Sequence, residues 1–445
     1  MCKPQTPIKV ISKEIPLYKG NKRVWIETKI LNDTNFSELS YDYKLDHKKK
    51  QLLLTPSGSR KVSVRRDIPI IDINNKEISE LFDGIDKIII KIFSHEIIIE
   101  PLKESLEQLR AKQKLNSKTL TYLEVFAGGG TLSKALVDAG LQCVGAIELD
   151  DKYLSNFEKN HPNTFTYNGD VTSLDDSLLP DAVALVAGIP CDCFGNTGIT
   201  GKKAHGKKTK EAGDTGSLAY HVLSLVEKIR PALVLIEQVP GFAHSAIGDI
   251  VRSVLKVRGY NLAEQIIPAA EYGSLSRRER FVLVASIGKQ FSFNRQRFFK
   301  IKTIGDILEI PLEDREWLTK ENSNAIAMFL RNEIEHKNRG NNFKMARTHV
   351  TDTVVKTITK GYYKNRLTDP ILVNPNNPNQ YSFFTPRELA RINGLPDNFI
   401  LPETKTTAGE IIGQGVAYDM FYSIGRELLS YFESHKPVKR PKCQR

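Results

Sequence analysis

The chain has 445 residues, of which 40% are hydrophobic and 26% charged, and its formal net charge at pH 7 is +12. These values are ordinary for a globular protein with two or three domains. No run approaches the eighteen or so apolar residues that a bilayer span requires, and the start lacks the apolar core of a signal peptide, so we expect a cytoplasmic protein without a membrane partner.

The cysteine spacing and the net charge indicate which ligands to expect. The five cysteines have neither zinc-site spacing nor the density of a disulfide framework, so we expect no metal site. The charge favours a polyanionic partner such as nucleic acid, although an excess of lysine can also simply promote solubility.

Residues 1–116 are predicted to form a separate, β-rich accessory domain. Short β-prone runs separated by Gly, Pro, Asn and Asp predict antiparallel strands at Val24–Ile30, Gln51–Thr55, Lys61–Arg65, Lys87–Ile92 and Glu96–Glu100. The segment from Ser57 to Arg66 is basic. It either contacts nucleic acid or forms a solvated edge that discourages aggregation, and the sequence leaves both open.

The pattern changes at Leu120 and indicates an α/β fold. LTYLEVF predicts a strand, AGGG a tight turn, and TLSKALVDAG a helix with one apolar face, which together begin a doubly wound sheet. Glycines let the backbone approach a ligand closely, and the helix N-terminus directs free amides to the same place. A turn without a cofactor could have the same sequence.

Acidic residues follow the next two predicted strands. CVGAIELD ends in Glu148 and Asp150, where a ribose could be held, and Asp170 could accept a hydrogen bond from an adenine or be an ordinary surface-turn aspartate. Because the glycines lack the full dinucleotide fingerprint, they favour a nucleoside cofactor without pyrophosphate.

The central stretch, residues 182–198, reads AVALVAGIPCDCFGNTG. Its apolar run predicts a buried strand with Cys191 just beyond the carboxyl end, where ligands bind in open parallel sheets. A second buried strand, ALVLIE, ends in Glu237, and Arg277, Arg278 and Arg280 precede a third. A Pro-Cys pair alone could be a small buried hydrophobe, but a thiol and a carboxylate at two strand ends predict a reactive site.

A glycine- and lysine-rich loop follows Cys191. Such a segment cannot pack a core, so it is either a solvated insertion or a loop that closes over a phosphate backbone. The lysines predicted to contact DNA are Lys202, Lys203, Lys207 and Lys208.

Taken in order, these pieces resemble the cytosine-C5 DNA methyltransferase family from about Leu120 to Phe432. The matching motifs are EVFAGGG, AIELD, NGDV, GIPCDCFGNTG, EQVPGF, RRERFVLVAS, FTPRELARINGLPDNF and IIGQGVAYDM. The resemblance implies a Rossmann-like methyltransferase domain at 117–289, a small target-recognition region at 290–383 and a return to the catalytic domain at 384–434. Residues 435–445 are predicted to be a basic tail.

The resemblance also implies ligands and residue roles. The methyl donor would be S-adenosyl-L-methionine, yielding S-adenosyl-L-homocysteine without a metal, and the acceptor would be a cytosine flipped out of duplex DNA. Cys191 would add to carbon 6, Glu237 would hold the ring nitrogen and amine, Arg280 the carbonyl oxygen, and Arg278 would support the nucleophile. The implied cofactor-binding residues are Phe126, Gly128, Gly130, Glu148, Asp170 and Pro190, and the implied DNA contacts in the recognition region are Arg295 and Arg297.

Four positions depart from the family pattern. Gln238 and Gln414 replace asparagines, Ser276 replaces a glutamine and Gly195 a serine. Each change is expected to lose or lengthen a supporting hydrogen bond. Cys193 is a rival nucleophile on proximity alone.

Two other functions stay open at this point. One branch of the family methylates tRNA but carries Pro-Pro-Cys, whereas this chain has Ile189 before Pro190. A DNA-binding regulator could also keep the fold without turnover. The expected partners are double-stranded DNA, recognised at a short site by a monomer, and a separately acting cognate restriction endonuclease.

Overall fold

The structure, a computed structural model, describes residues 6–38, 40–190, 211–294, 302–341, 344–364 and 366–436. The chain divides into two compact units, residues 1–113 and 114–445, so the division falls three residues before the predicted boundary at 116. No helix within the described ranges is long and apolar enough to cross a membrane.

The N-terminal unit contains two antiparallel sheets around one apolar core. The elements are β1 (Lys9–Glu14), β2 (Leu17–Tyr18), β3 (Asn21–Glu27), β4 (Ser40–Asp46), β5 (Gln51–Pro56), β6 (Arg60–Lys61), β7 (Ser63–Arg65), β8 (Ile68–Asn74), α1 (Lys76–Leu81), β9 (Lys87–Ile92), β10 (Ile97–Pro101) and α2 (Lys103–Lys114). The strand orders are β1-β9-β10-β5-β4-β6 and β2-β3-β8-β7. The predicted antiparallel β structure is confirmed, with two differences. The strand predicted at Val24–Ile30 ends at Glu27, where Thr28 caps a short 3₁₀ turn by accepting a hydrogen bond from the Ile30 amide, and the strand predicted at Lys61–Arg65 is divided between β6 and β7 of the two sheets.

A seven-stranded sheet forms the centre of the second unit. The elements are β11 (Thr121–Val125), α3 (Thr131–Asp138), β12 (Gln142–Glu148), α4 (Asp151–Asn160), β13 (Phe165–Asn168), β14 (Ala184–Gly188), α5 (Glu211–Ile229), β15 (Leu233–Gln238), α6 (Ala246–Val257), β16 (Asn261–Pro268) and β17 (Glu279–Ser286). The strand order is β13-β12-β11-β14-β15-β17-β16. Strands β11 to β15 are parallel, as predicted, whereas β17 runs antiparallel to both of its neighbours, β15 and β16.

The strand order reverses between β11 and β14. From β11 the chain winds outward through β12 and β13, then returns to the other side of β11 as β14 and continues to β15. At such a switch point the loops after the two strands diverge and leave a crevice beyond their carboxyl ends. The fold therefore places the candidate site outside β11 and β14.

Residues after β17 form a smaller layer and then return to the sheet. The elements are α7 (Asn324–Asn338), β18 (Ala346–Thr348), β19 (Pro370–Asn374), β20 (Asn377–Ser382), α8 (Pro386–Ile392), α9 (Lys405–Gln414) and α10 (Tyr418–Ser434). A fully buried ion pair between Arg315 and Glu388 ties this layer to α8, and Glu388 also accepts the Glu309 amide at 2.8 Å. The last helix packs on α3, where Gly425 leaves room for Ala139.

Candidate active site

The carboxyl ends of β14 and β15 lie side by side. Gly188, the last residue of β14, is in register with Glu237 on β15. A Cβ added to Gly188 would lie 3.6 Å from Glu237 Oε2 and 4.0 Å from the Phe126 carbonyl oxygen. The prediction that these strand ends are neighbours is confirmed. Cys191 and Cys193 themselves lie outside the described residues, as do Gly195 and Lys202, Lys203, Lys207 and Lys208.

Glu237 forms an ion pair with Arg280. The distance from Arg280 Nε to Glu237 Oε1 is 2.6 Å, and each side chain is 12% exposed. The pairing follows from register, because β17 runs antiparallel to β15 and sets Val282 opposite Glu237, so that Arg280 occupies the diagonal position on the same face. A carboxylate and a guanidinium held together at a sheet edge can bind two sides of a polar planar group.

Gln238 holds the chain that leads to Cys191. Its side chain is 1% exposed, and its amide nitrogen donates to the carbonyl oxygens of Ile189 at 3.0 Å and Pro190 at 3.2 Å. Its amide oxygen accepts the Val239 N–H at 2.6 Å. The expectation that glutamine here would lose or lengthen a hydrogen bond is wrong, because the longer side chain reaches across to the neighbouring strand end.

Arg278 is bonded to backbone carbonyls. It is 2% exposed, and its Nη1 donates to the carbonyl oxygens of Gly413 at 3.0 Å and Ile358 at 3.5 Å. These contacts join the residue before β17 to the predicted recognition region and to α9. Its role in supporting the nucleophile stays a prediction, and these two contacts are structural.

The glycine turn after β11 has a backbone shape that few residues adopt. Phe126, Gly128 and Gly130 have φ angles of 62°, 54° and 86°, and only glycine takes such angles without cost. The Gly128 amide donates to Glu148 Oε2 at 2.8 Å, and the Asp150 amide donates to Glu148 Oε1 at 2.9 Å. Glu148 therefore fixes the turn from the end of the neighbouring strand.

Two further side chains hold the turn and were missed by sequence reasoning. Asn156 donates a hydrogen bond to the Gly129 carbonyl oxygen at 3.0 Å. His161 Nε2 lies 3.2 Å from the Gly130 carbonyl oxygen. Burial lowers the pKa of His161, which favours the neutral ring, donating through Nε2. A polar residue on the apolar face of α4 was the signal that could have identified Asn156.

Asp170 is also predicted to bind the cofactor, and the return segment contacts the turn. Asp170 follows β13, which pairs with β12, and it is exposed, with Oδ1 accepting the Thr172 amide at 2.8 Å. Gln414 Nε2 would lie 3.9 Å from a Cβ on Gly128. From α9, the Ile411 side chain fills the position that a Cβ on Gly129 would need. The return segment thus covers one side of the turn, where glycine is required.

A buried carboxyl group lies on β11, two residues before the cofactor turn begins at Phe126. Glu124 on β11 is 1% exposed and accepts a hydrogen bond from Ser133, which in turn accepts one from the Tyr122 hydroxyl at 2.9 Å. Burial raises the pKa of Glu124 to about 8 and that of the Cys143 thiol to about 12. The sequence signal was a glutamate in the middle of an apolar strand.

Two other predicted features have limited structural description. Arg295 and Arg297 lie outside the described residues. Ser276, a departure from the family pattern, is fully buried, and its hydroxyl has no hydrogen-bond partner among the residues that the structure describes. Within those residues, no group of three or more His, Cys, Asp or Glu side chains could hold a metal ion.

The fold and the strand-end site define a Rossmann-like methyltransferase. Solved structures with this fold include a methyltransferase of the Dnmt2 type from S. pombe, with TM-score 0.55 and 21% identity over 71% of this chain and 99% of that chain. Residues 120–430 match the family described as C-5 cytosine-specific DNA methylase, and the chain belongs to that family.

Curated relatives agree with this assignment. The type II methyltransferase M.DsaV of Dactylococcopsis salina is 27% identical over 333 residues, which cover 72% of this chain and 88% of the relative. The type II methyltransferase M.HhaI of Haemophilus parahaemolyticus is 25% identical over 69% of this chain and 95% of the relative. The enzyme class is DNA (cytosine-5-)-methyltransferase, of the kind found in restriction-modification systems.

Proposed function

We propose that the protein methylates carbon 5 of a cytosine within a short, specific sequence of duplex DNA, with S-adenosyl-L-methionine as donor. The observation that carries the proposal is the register of Gly188 with Glu237. It sets the carboxylate that pairs with Arg280 beside the strand end that leads directly to Cys191. The family's reaction needs a thiol and a carboxylate close together, beside the cofactor turn, and the ends of two neighbouring strands supply that arrangement.

The glycine turn fits a nucleoside cofactor. Among the described residues, a Cβ at Gly128 would meet only Gln414, 3.9 Å away, which leaves the backbone there open to a ligand. Gly128 and Gly130 would admit the cofactor, Phe126 and Pro190 would line its site, Glu148 would bind the ribose and Asp170 the adenine amine. When bound, S-adenosyl-L-methionine supplies an electrophilic methyl group.

Carbon 5 of cytosine is a poor nucleophile, and the protein's side chains would activate it. The Cys191 thiolate adds to carbon 6, forming an S–C bond and placing an electron pair on carbon 5. Glu237 holds the ring nitrogen and the exocyclic amine, and Arg280 holds the carbonyl oxygen, so that the developing charge is stabilised. After methylation, a base removes the carbon 5 proton and the S–C6 bond breaks, which restores the aromatic ring and the thiolate.

The target base must leave the duplex, because carbon 6 is out of reach within the stack. The lysine-rich loop at 202–208 is our candidate for covering the flipped base, and Arg295 and Arg297 are our candidates for contacts that read or position the DNA. We further propose that the enzyme acts as a monomer in the cytoplasm, alongside a separate cognate restriction endonuclease.

Transfer of a radiolabelled methyl group to duplex DNA, or to tRNA, tests the substrate. We expect label in DNA only, none with C191S, and close to wild-type transfer with C193S, the matched control two residues away. Cofactor binding should persist in C191S, because the turn that binds it is separate.

Label in tRNA alone would contradict the DNA assignment. Label in neither nucleic acid, with DNA still bound, would indicate a regulator without turnover. Full activity in C191S would show that Cys191 is not the nucleophile.

A further inference from the structure

The N-terminal unit lies outside the family match, which begins at residue 120. One of its segments supplies a free edge to both of its sheets. Strand β6 is the outer strand of the six-stranded sheet, and β7 is the outer strand of the four-stranded sheet. Residues Arg60–Arg66, here called the basic edge segment, run through both strands, and Val62, at 5% exposure, anchors the crossing between them.

The basic edge segment presents four exposed cations that form no ion pair with a described side chain. They are Arg60, Lys61, Arg65 and Arg66. The Arg60 guanidinium lies 4.3 Å from the centre of the Tyr43 ring, which orients it without cancelling its charge. The carboxylate of Asp42, on the adjoining strand, accepts hydrogen bonds from the Ser59 amide and hydroxyl, at 3.1 and 2.9 Å.

Protection against aggregation does not account for this concentration of charge. The other outer strands carry less net charge. In β1 the exposed Lys9 is offset by the exposed Glu14 and Val10 is 50% exposed, whereas β2 has no charged residue and exposes Leu17 at 69% and Tyr18 at 44%. Edge protection at those strands therefore uses far less charge than the four cations found here, which flank a Val64 that is itself 51% exposed. The cations are instead gathered on one edge, which indicates a ligand.

The chemistry of the segment suits a phosphate backbone. Three of its four cations are arginines, whose planar guanidinium groups bind phosphate oxygens in a fork. An outer strand also offers unpaired backbone N–H groups, which donate to phosphates in protein–DNA complexes. The cations lie on two short strands and on the turn that follows them, where Arg66 has a φ of 51°. A segment of this length can contact more than one phosphate of a DNA backbone.

We propose that the basic edge segment binds the phosphate backbone of duplex DNA, independently of sequence. This contact would be a second DNA-binding surface, in addition to the one proposed in the methylase region. The proposal rests on the proposed function only in choosing DNA as the polyanion. The contact carries no base readout, so it raises affinity for target and non-target DNA alike.

Salt-dependent binding of the full chain to a 40-bp duplex of A·T pairs, which contains no cytosine, tests the proposal. The variant is R60Q/K61Q/R65Q/R66Q. The matched control is K76Q/K103Q/R110Q/K112Q, which removes the same charge from exposed positions elsewhere in this unit. Fluorescence anisotropy between 50 and 200 mM salt gives the slope of log K against log salt, whose magnitude falls by about 0.9 for each phosphate that the protein no longer neutralises.

We expect the magnitude of the slope to fall by about 2 to 4 in the variant, with binding at least about 10-fold weaker at 0.1 M salt. The control should stay within about twofold of the unaltered chain. The double variant R65Q/R66Q should give about half the change in slope. It tests the proposal even if the quadruple variant does not fold.

A variant indistinguishable from its control would overturn the proposal, and so would a loss confined to duplex RNA of the same length. Methyl transfer at saturating cytosine-containing DNA is measured in parallel. The rate of methyl transfer should be the same in the variant, the control and the unaltered chain. If the unaltered chain transfers no methyl group, the proposed function is contradicted, but the binding measurement still tests the role of the basic edge segment.

Discussion

Two glutamates on neighbouring parts of the same sheet have opposite environments. Each is the last residue but one of its strand. Glu124 is 1% exposed and bonded to Ser133 of α3, and burial raises its pKa to about 8. Glu237 is 12% exposed and paired with Arg280. The comparison teaches that the groups around a carboxyl group, more than its position along a strand, decide whether it supports the fold or is available to a ligand.

The largest expected effect is on methyl transfer in E237Q. Glutamine keeps the shape but cannot hold the negative charge that pairs with Arg280 and with the protonated cytosine ring, so kcat should fall about 10²- to 10⁴-fold. E124Q, the matched change inside the strand, should keep kcat within about threefold. Equal losses in the two variants would erase the distinction between them.

The next effect is on the pH dependence of stability, and it concerns Glu124. A carboxyl group whose pKa is raised in the folded protein keeps its proton there while the unfolded chain loses it. The free energy of unfolding therefore falls between about pH 4.5 and about pH 8 and is level above that.

E124Q should lack this fall, so its stability should exceed that of the unaltered chain increasingly toward pH 8, by a few kcal/mol, in urea unfolding at a series of pH values. Asp419 and Glu427, whose pKa values burial raises to about 6 and about 7, are present in both proteins and cancel in the difference. Parallel pH curves would show that Glu124 is not buried as described.

A smaller effect is expected for Gln238, which acts on Cys191 through the chain. Q238L would leave the carbonyl oxygens of Ile189 and Pro190 and the Val239 amide unpaired, so the nucleophile loop would lose its support. We expect kcat to fall about 10- to 100-fold, with KM for DNA little changed. Q238N, which restores the amide on a shorter side chain, should recover part of the loss, whereas a merely structural role would make the two variants equally active.

The smallest effect compares two buried hydroxyls. Ser133 is bonded on both sides, whereas the Ser276 hydroxyl has no partner among the described residues. S276A should raise the free energy of unfolding by about 1 kcal/mol, and S133A should lower it by about 1 to 3 kcal/mol, in urea unfolding at pH 7. A destabilised S276A would mean that its hydroxyl has a role in the fold.

Sequence reasoning located the strand ends because apolar runs and glycines report burial and backbone shape directly. It predicted that the strands leading to Cys191 and ending in Glu237 belong to one sheet, and it predicted the turn that holds Gly128 and Gly130. It could not foresee that Gln238 reaches the Ile189 and Pro190 carbonyls, because that depends on the distance between two strand ends. The antiparallel hairpin of β16 and β17 was missed for a similar reason, since the length of a connection does not by itself fix strand direction.

The layer after β17, which includes the predicted recognition region, was the least predictable part. It depends on contacts between distant segments, such as the ion pair of Arg315 with Glu388 on α8. The sequence TPREL contains the pattern of a capping box at Thr385 and Glu388. The Glu388 carboxylate also accepts a hydrogen bond from the Glu309 amide, 79 residues away, and no local pattern indicates that contact. Long-range polar contacts of this kind leave no periodic signal.

The central claim, that Cys191 attacks a cytosine held by Glu237, can be tested by trapping the adduct. Duplex DNA in which the target base carries fluorine at carbon 5 cannot lose a proton after methylation, so the S–C6 bond should persist through denaturing electrophoresis. We predict a DNA-linked protein whose modified peptide contains Cys191, absent in C191S and retained in C193S. A linkage at Cys193, or active methylation without any linkage, would contradict the account.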